Sequence, residues 1–321
     1  MRRLLLSWLI ALIATAPSAA AEPGHVVHSL RITTLSTMLA DKGIGEWGYS
    51  ALVEVDGRKI LFDTGAHPDA VLRNAKDLGI DLSTVDTLVL SHNHGDHTGG
   101  LVALREAMAP ANPEALAIAY VGAGIFEPRY DKNGKVYNGL TPLKARYEAD
   151  GGRFVEQPGP IEIAPGVWFT GPVPRPNAET NWQPGLFRHT AAGTVPDTVP
   201  EDAALIFVTD QGLVILTGCG HAGIMNLVDD ARRIAGNKPL LAVIGGLHLF
   251  AKPDAVLAAS AARMQGVRYL LAAHCTGIET TIKLRRLLGL DRHTAVVAAV
   301  GSSFTLGKGI DALDIAGSPT D

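Results

Sequence analysis

The chain reads as a layered α/β protein, with sheets inside and helices outside. Two patterns predict this: a first half of short β-rich runs, and a second half in which strands and helices alternate. Length adds a third observation. About 300 residues are enough to bury one large core in a single domain.

Taken in order, Ser29–Ser36, Tyr49–Val55 and Lys59–Phe62 read as strands, with Asp56-Gly57 as a hairpin turn between the last two. Ala70–Leu78 carries a helical apolar pattern that Gly79 stops. Thr87–Leu90 is a short buried strand, Leu101–Met108 a helix and Leu116–Val121 a strand. The pattern then weakens, and residues 125–200 read as an irregular insertion rich in Gly, Pro, Asn and aromatics, with only short strand-like pieces such as Val167–Phe169. Arg129, Tyr130, Tyr137, Arg175, Trp182 and His189 in that insertion are expected to shape a pocket. Order returns with the hairpin Ala203–Thr209 and Leu213–Thr217 around Asp210-Gln211-Gly212. Helix Ile224–Ile234, strand Leu240–Ile244, helix Asp254–Met264, strand Tyr269–Ala273, helix Glu279–Leu288 and strand Thr294–Val300 complete the domain.

The chemistry is concentrated in residues 91–100, Ser-His-Asn-His-Gly-Asp-His-Thr-Gly-Gly, which follow the Thr87–Leu90 strand. His92, His94, Asp96 and His97 are the ligand types that a borderline metal such as zinc prefers. Side chains alternate along an extended segment, so His92 and His94 share a side, and the turn after them swings Asp96 and His97 around. Two ligand pairs suit two metals, which together activate a water and polarise a substrate oxygen.

More ligands must come from elsewhere. His221, in Leu216-Thr217-Gly218-Cys219-Gly220-His221-Ala222-Gly223, lies between a strand and a helix among small residues. His274 ends a strand, and His248 follows another through Gly245-Gly246. Open α/β sheets place their sites at such strand ends. His221 and His274 are the stronger candidates and His248 the weaker. Asp63, in Phe62-Asp63-Thr64-Gly65, either fixes an imidazole's orientation or caps its own turn. Cys219 is either a thiolate ligand or a small buried apolar residue. His25, His28, His67 and His293 read as structural or solvated.

The N-terminus has the layout of a secretory leader: Met1-Arg2-Arg3, the apolar Leu4–Ala16, then Ala19-Ala20-Ala21 before Glu22. Cleavage after Ala21 is expected, which gives a periplasmic or secreted protein spanning residues 22–321. No later segment reads as a membrane span. The 28 basic and 32 acidic residues become 26 and 32 without Arg2 and Arg3, a net charge of about −6. No dense Lys/Arg cluster suggests a nucleic-acid partner, so the expected partner is a small-molecule substrate. Two cysteines, Cys219 and Cys275, make no disulfide framework, and their pairing is open.

With His92-x-His94-x-Asp96-His97 and the preceding Asp63-Thr64-Gly65, the chain resembles the metallo-β-lactamase superfamily. Gly45-Glu46-Trp47-Gly48-Tyr49-Ser50, Leu216–Gly223, Gly245-Gly246-Leu247-His248-Leu249 and His274-Cys275-Thr276-Gly277 resemble its dihydropterin ribofuranosyl-aminobenzene phosphate synthase-like branch. The resemblance implies a four-layer αβ/βα sandwich with a zinc site at one edge of its sheets. It implies one metal on His92, His94 and His221, and a second on Asp96, His97 and His274, with manganese or iron as other occupants. It also exposes departures: Pro200-Glu201-Asp202 stands where many members have Gly-His, and Cys219 stands at the position of a bridging Asp. The expected activity is that of a metal-dependent hydrolase, in which a metal-activated hydroxide attacks a carbonyl or phosphoryl centre and Asp96 helps orient it. A synthase or transferase like the branch's namesake, and a non-catalytic metal- or ligand-binding module, are the alternatives.

Overall fold

The computed structural model describes residues 24–314. The leader read over residues 1–21 lies outside them. Two sheets form the centre. The first has eight strands in the order Gly309–Asp311, Ser303–Thr305, Leu30–Ser36, Ser50–Val55, Arg58–Phe62, Thr87–Leu90, Ile118–Gly122 and Arg153–Gln157. The second has seven, in the order Ala295–Val297, Tyr269–Ala272, Leu240–Gly245, Leu213–Thr217, Ala204–Val208, Val167–Phe169 and Ile161–Ala164.

The layering follows from alternation. Along Thr87–Leu90, Val89 faces the second sheet, while Leu88 and Leu90 face the helices. Along Ala204–Val208, Leu205 and Phe207 face the first sheet, while Ala204, Ile206 and Val208 turn outward. Ile32, Phe62, Val89, Phe169, Phe207, Leu216 and Ile244 therefore share the central core between the sheets. Helices Ala70–Asp77, Leu101–Met108 and Leu140–Ala149 cover the outer face of the first sheet. Helices Ile224–Ala235, Asp254–Arg263 and Ile278–Leu287 cover that of the second. This is the four-layer αβ/βα sandwich that the resemblance implied.

Local signals explain many element ends. Val55 pairs with Arg58 across Asp56 (φ 44°) and Gly57 (φ 80°), the two left-handed residues of a tight hairpin turn. Past helix Ala70–Asp77, the Ile80 N–H donates to the Ala75 carbonyl (2.8 Å) and the Gly79 N–H to that of Lys76 (3.1 Å), which closes the helix end.

Three readings need correction. Residues 125–200 are not irregular throughout. Besides the expected strand-like piece Val167–Phe169, they contain helix Leu140–Ala149, strands Arg153–Gln157 and Ile161–Ala164 on the rims of the two large sheets, and a small sheet of Tyr130–Asp131, Leu186–Thr190 and Gly193–Pro196. Their apolar pattern is weak because strands near a sheet edge stay partly wet: in Arg153–Gln157 no residue is fully buried. Strand Thr294–Val300 is two pieces, Ala295–Val297 in the second sheet and Ala299–Val300, which pairs with Leu39–Ala40. The chain does not finish there either, because Ser303–Thr305 and Gly309–Asp311 join the first sheet beside Leu30–Ser36. These strands of three residues each are too short to show a period. No helix among the described residues is long and apolar enough to cross a membrane.

A candidate two-metal centre

Strands Arg58–Phe62 and Thr87–Leu90 run parallel in the first sheet, as do Leu213–Thr217, Leu240–Gly245 and Tyr269–Ala272 in the second. Their C-terminal ends carry Asp63, His92, Cys219, His248 and His274 in turn. His94 then caps a four-residue helix, Gly95–Thr98, that aims Asp96 and His97 back at the same place.

Small residues let the two sheet edges close. A Cβ on Gly218 would meet Ser91 Oγ and sit 2.5 Å from Asp63 Oδ2. At Gly245 (φ +105°) it would collide with the Thr217 carbonyl, and no other residue type is comfortable in that backbone conformation. Asp63, His248 and His274 themselves hold positive φ values of 56°, 48° and 46°. Such strain in non-glycine residues persists where the surroundings enforce it, and it clusters at functional sites.

The potential ligands fall into groups whose donor atoms lie within 4.8 Å of one another: His92, His94 and His221; Asp96, His97, Cys219 and His274; and a third, Cys219, His248 and Cys275. The first two groups touch, with the His92 and His97 rings 4.3 Å apart at their centroids. Of the six side chains expected as ligands, His94, Asp96, His221 and His274 line one cleft of about 370 Å³, and His92 and His97, fully buried, belong to the same two groups. His248 reaches the edge of the site through the third group, 4.5 Å from the His221 ring.

Hydrogen bonds fix which nitrogen each ring presents. The Ser91 hydroxyl donates to Asp63 Oδ2 (2.7 Å), so His92 Nδ1, 2.9 Å from Ser91 Oγ, must carry the proton it donates there. His97 Nδ1 donates to Asp63 Oδ2 at 2.7 Å, and His221 Nδ1 to the Asn181 carbonyl at 2.5 Å. The Nε2 atoms of His92 and His221 are left as lone pairs, while that of His97 meets Cys219 Sγ at 3.1 Å. Asp63 is therefore the orienting carboxylate of the two roles open to it, and it also accepts the Ser91 N–H at 2.7 Å.

Burial and mutual repulsion hold His92 and His221 well below the ordinary imidazole range, and burial pushes His94 down to about 4. These rings are neutral at pH 7, the form a metal requires. Burial alone would raise Asp96, but the His97 and His274 rings beside it bring it well below the usual carboxylate range. Burial would likewise lower His97, yet the Asp63 and Asp96 carboxylates lift it to about 9.

The Nε2 atoms of His92, His94, His221 and His274 are buried with no hydrogen-bond partner. Those of His92 and His221 are fixed as acceptors, that of His274 faces the Asp96 carboxylate at 3.2 Å, and buried nitrogens left without a partner are costly unless something electrophilic satisfies them. Together with a nitrogen, oxygen and sulfur donor set, they fit zinc or a similar divalent ion in each of the first two groups. Cys219 Sγ lies 3.1 Å from His97 Nε2, inside the second group, and 3.3 Å from Cys275 Sγ; both thiols are free.

The other departures have structural work. Glu201 is buried against Arg129 (2.6 Å), which also meets Asp197 at 3.1 Å, so this cluster pins the insertion to the sheet. Asp202 accepts the Ala222 N–H at 2.8 Å and so steadies the loop of His221.

Of the insertion residues expected at the pocket, only Tyr137 lines the cleft. Arg129 is consumed by its carboxylates, and Arg175 donates to the Thr198 and Val199 carbonyls (2.6 Å each). His189 bonds Thr194 (2.9 Å) and packs on Tyr130. Trp47, Gln183 and Phe250 line the cleft without having been singled out from sequence. An aromatic within the Gly45–Ser50 motif and another two residues past His248 were the available signals.

The comparisons with known proteins agree with this geometry. Residues 48–233 match the family model of the metallo-beta-lactamase superfamily. The chain is 32% identical over 270 residues, 79% of its length and 90% of the relative's, to the 7,8-dihydropterin-6-methyl-4-(beta-D-ribofuranosyl)-aminobenzene-5'-phosphate synthase of Methanocaldococcus jannaschii. Among solved structures, a metal-dependent hydrolase of the beta-lactamase superfamily aligns with TM-score 0.68 and 25% identity, over 85% of this chain and 98% of that one. The metallo-beta-lactamase fold protein YhfI from Bacillus subtilis aligns with TM-score 0.51 and 14% identity, over 86% and 99%, a likeness of fold alone. By family model, by identity and by the sandwich that carries the site, this chain belongs to the metallo-beta-lactamase superfamily.

Proposed function

We propose that the chain is a metal-dependent hydrolase with two zinc ions, acting on a small molecule outside the cytoplasm after cleavage following Ala21. The observation that carries this is the set of buried imidazole nitrogens without a hydrogen-bond partner gathered at one open cleft. His92, His94 and His221 would hold one ion, and Asp96, His97 and His274, with Cys219, the other. When bound, such ions activate a water and polarise a carbonyl or phosphoryl oxygen.

The chain's own part is orientation. Asp63 and the Asn181 carbonyl fix the tautomers of His97 and His221, and Ser91 passes the hold of Asp63 on to His92. Asp96, still partly open to the cleft, keeps its charge at any working pH and orients the attacking water. The likeness to a solved metal-dependent hydrolase supports this reading. The leader pattern in residues 1–21 supports the location.

Metal analysis of the secreted form, followed by an ester, lactone, phosphodiester and β-lactam panel, tests it. Two zinc per chain and turnover of one class are expected. Protein that takes up no stoichiometric zinc, manganese or iron would sink it. N-terminal sequencing that starts at Met1 would sink the location alone.

A second reading, a synthase or transferase, has the identity to the M. jannaschii enzyme in its favour. Formation of that enzyme's named product from its pterin and aminobenzene halves, with no turnover on the hydrolytic panel, would establish it instead.

A further inference from the structure

The geometry points to a planar, uncharged aromatic or heteroaromatic ring as the part of the substrate that this cleft recognises, held by Trp47, Phe250 and Tyr137. The inference rests on the cleft being the reaction site proposed above. Among the described residues three aromatic side chains are strongly exposed: Trp47 (50%), Tyr137 (51%) and Phe250 (42%). All three line this one cleft. Scattered exposed apolar side chains are ordinary, but their concentration at a single opening marks a binding surface.

The rings stand over both metal groups. Trp47 meets Phe250 edge-on at 5.9 Å and the His274 ring at 4.9 Å. Tyr137 stands 6.5 Å from His94, and Phe250 5.4 Å from His248.

Their backbones are held in place. Next to Trp47, buried Glu46 accepts from Ser36 Oγ (2.6 Å), the Ala66 N–H (3.0 Å) and the His67 N–H (2.9 Å). The Tyr49 N–H donates to the Asp96 carbonyl (3.1 Å), so the Trp47 loop is tied to the metal loop itself. Phe250 N–H donates to the Cys275 carbonyl (3.2 Å), and Tyr137 N–H to that of Arg129 (2.7 Å). Rings fixed this way lose little freedom on meeting a ligand.

Charge narrows the class. The lining contains no Lys or Arg, and Gln183 supplies an amide. A phosphate or carboxylate tail would find no ammonium or guanidinium in the lining, whereas a neutral ring would find stacking surfaces and an amide partner.

The test reads binding to the metal-loaded protein by saturation-transfer NMR, with benzamide and cyclohexanecarboxamide as probes. The two share a polar group and differ in the planar ring. Benzamide is expected to bind at least about fivefold more tightly. Trp47→Ala and Phe250→Leu should each cost ~2- to 10-fold in benzamide affinity, the range of an aromatic pair, with Trp47→Phe restoring it. Tyr137→Ala, from a separate segment, tests the preference independently should loss of Trp47 disturb His274. Equal binding of the two amides, or a preference unchanged in all the ring-removing variants, overturns the inference. So does a dimer that dissociates in Phe250→Leu by light scattering, since a second copy would then own the patch. Turnover is not needed for this readout: a ring preference without hydrolysis sinks the hydrolase reading alone, and hydrolysis without a ring preference sinks this one alone.

Discussion

At the scale of single residues, Asp63 connects more of the site than any ligand does. One carboxylate receives the Ser91 N–H, the Ser91 hydroxyl and the His97 ring, and so touches both metal groups at one remove. Groups that orient metal-bound imidazoles typically matter ~10- to 100-fold for metal affinity. Asp63→Ala should therefore weaken zinc binding by about that factor, most at the Asp96, His97 and His274 group. Ser91→Ala should weaken the His92, His94 and His221 group alone. Competitive zinc titration against a chelator dye checks both, and equal losses at the two groups in Ser91→Ala would contradict the assignment. Cys219→Ala should reduce the stoichiometry from two ions towards one, because its sulfur sits within the Asp96, His97 and His274 group and not within that of His92, His94 and His221. Two ions retained at unchanged affinity would return Cys219 to the status of a small buried apolar residue.

At the scale of elements, the site exists because two sheets bring their parallel strand ends to one edge. They approach closely at Gly218, just past Leu213–Thr217, against Asp63 and Ser91 of the other sheet. Gly218→Ala must push these apart. The expected result is loss of metal from both groups together with a fall of a few degrees in Tm, since overpacking a tight contact costs about 1–3 kcal/mol. Full metal content in this variant would show that the edges are less tightly joined than the geometry requires. Much at this scale was legible. The His92–His97 motif lies at one strand end, and His221 and His274 at others, so strand-end position was enough to rank them. Trp47, Phe250 and Gln183 were not legible, because what selects them is exposure at a shared opening, and exposure is not written in local pattern.

At the scale of the whole molecule, buried charge should make stability depend on pH. Burial pushes Asp202 and Glu201 up to about 7 from ordinary values of 3.8 and 4.5, with Arg175 and Arg129 beside them offsetting part of the effect. Both folded-state values are raised, so between about pH 4 and 7 the folded protein holds protons that the unfolded chain releases. Stability from these groups is full below that window and declines as pH rises through 7. Asp202→Asn keeps an acceptor for the Ala222 N–H and removes one ionisation. The variant should match the parent near pH 4, pull ahead as pH rises through the window, and exceed it by about several degrees in Tm at pH 8, measured on metal-free protein. The buried histidines contribute equally to both proteins and cancel in the difference. A difference that does not change with pH would show Asp202 to be ionised throughout.

The sequence by itself determined the layered α/β class, most element positions, and the six histidine and aspartate side chains brought to the two metal groups. It could do so because periodicity, glycine stops and ligand spacing are local properties of the chain. Only the tertiary structure decided that Asp63 orients rather than caps, that Cys219 lies in the second group beside Cys275, and that Glu201 and Asp202 brace the site's surroundings. It alone placed three exposed rings around one cleft. These depend on residues dozens to hundreds of positions apart meeting at one edge of two sheets, and such meetings are set by packing, which no local pattern encodes.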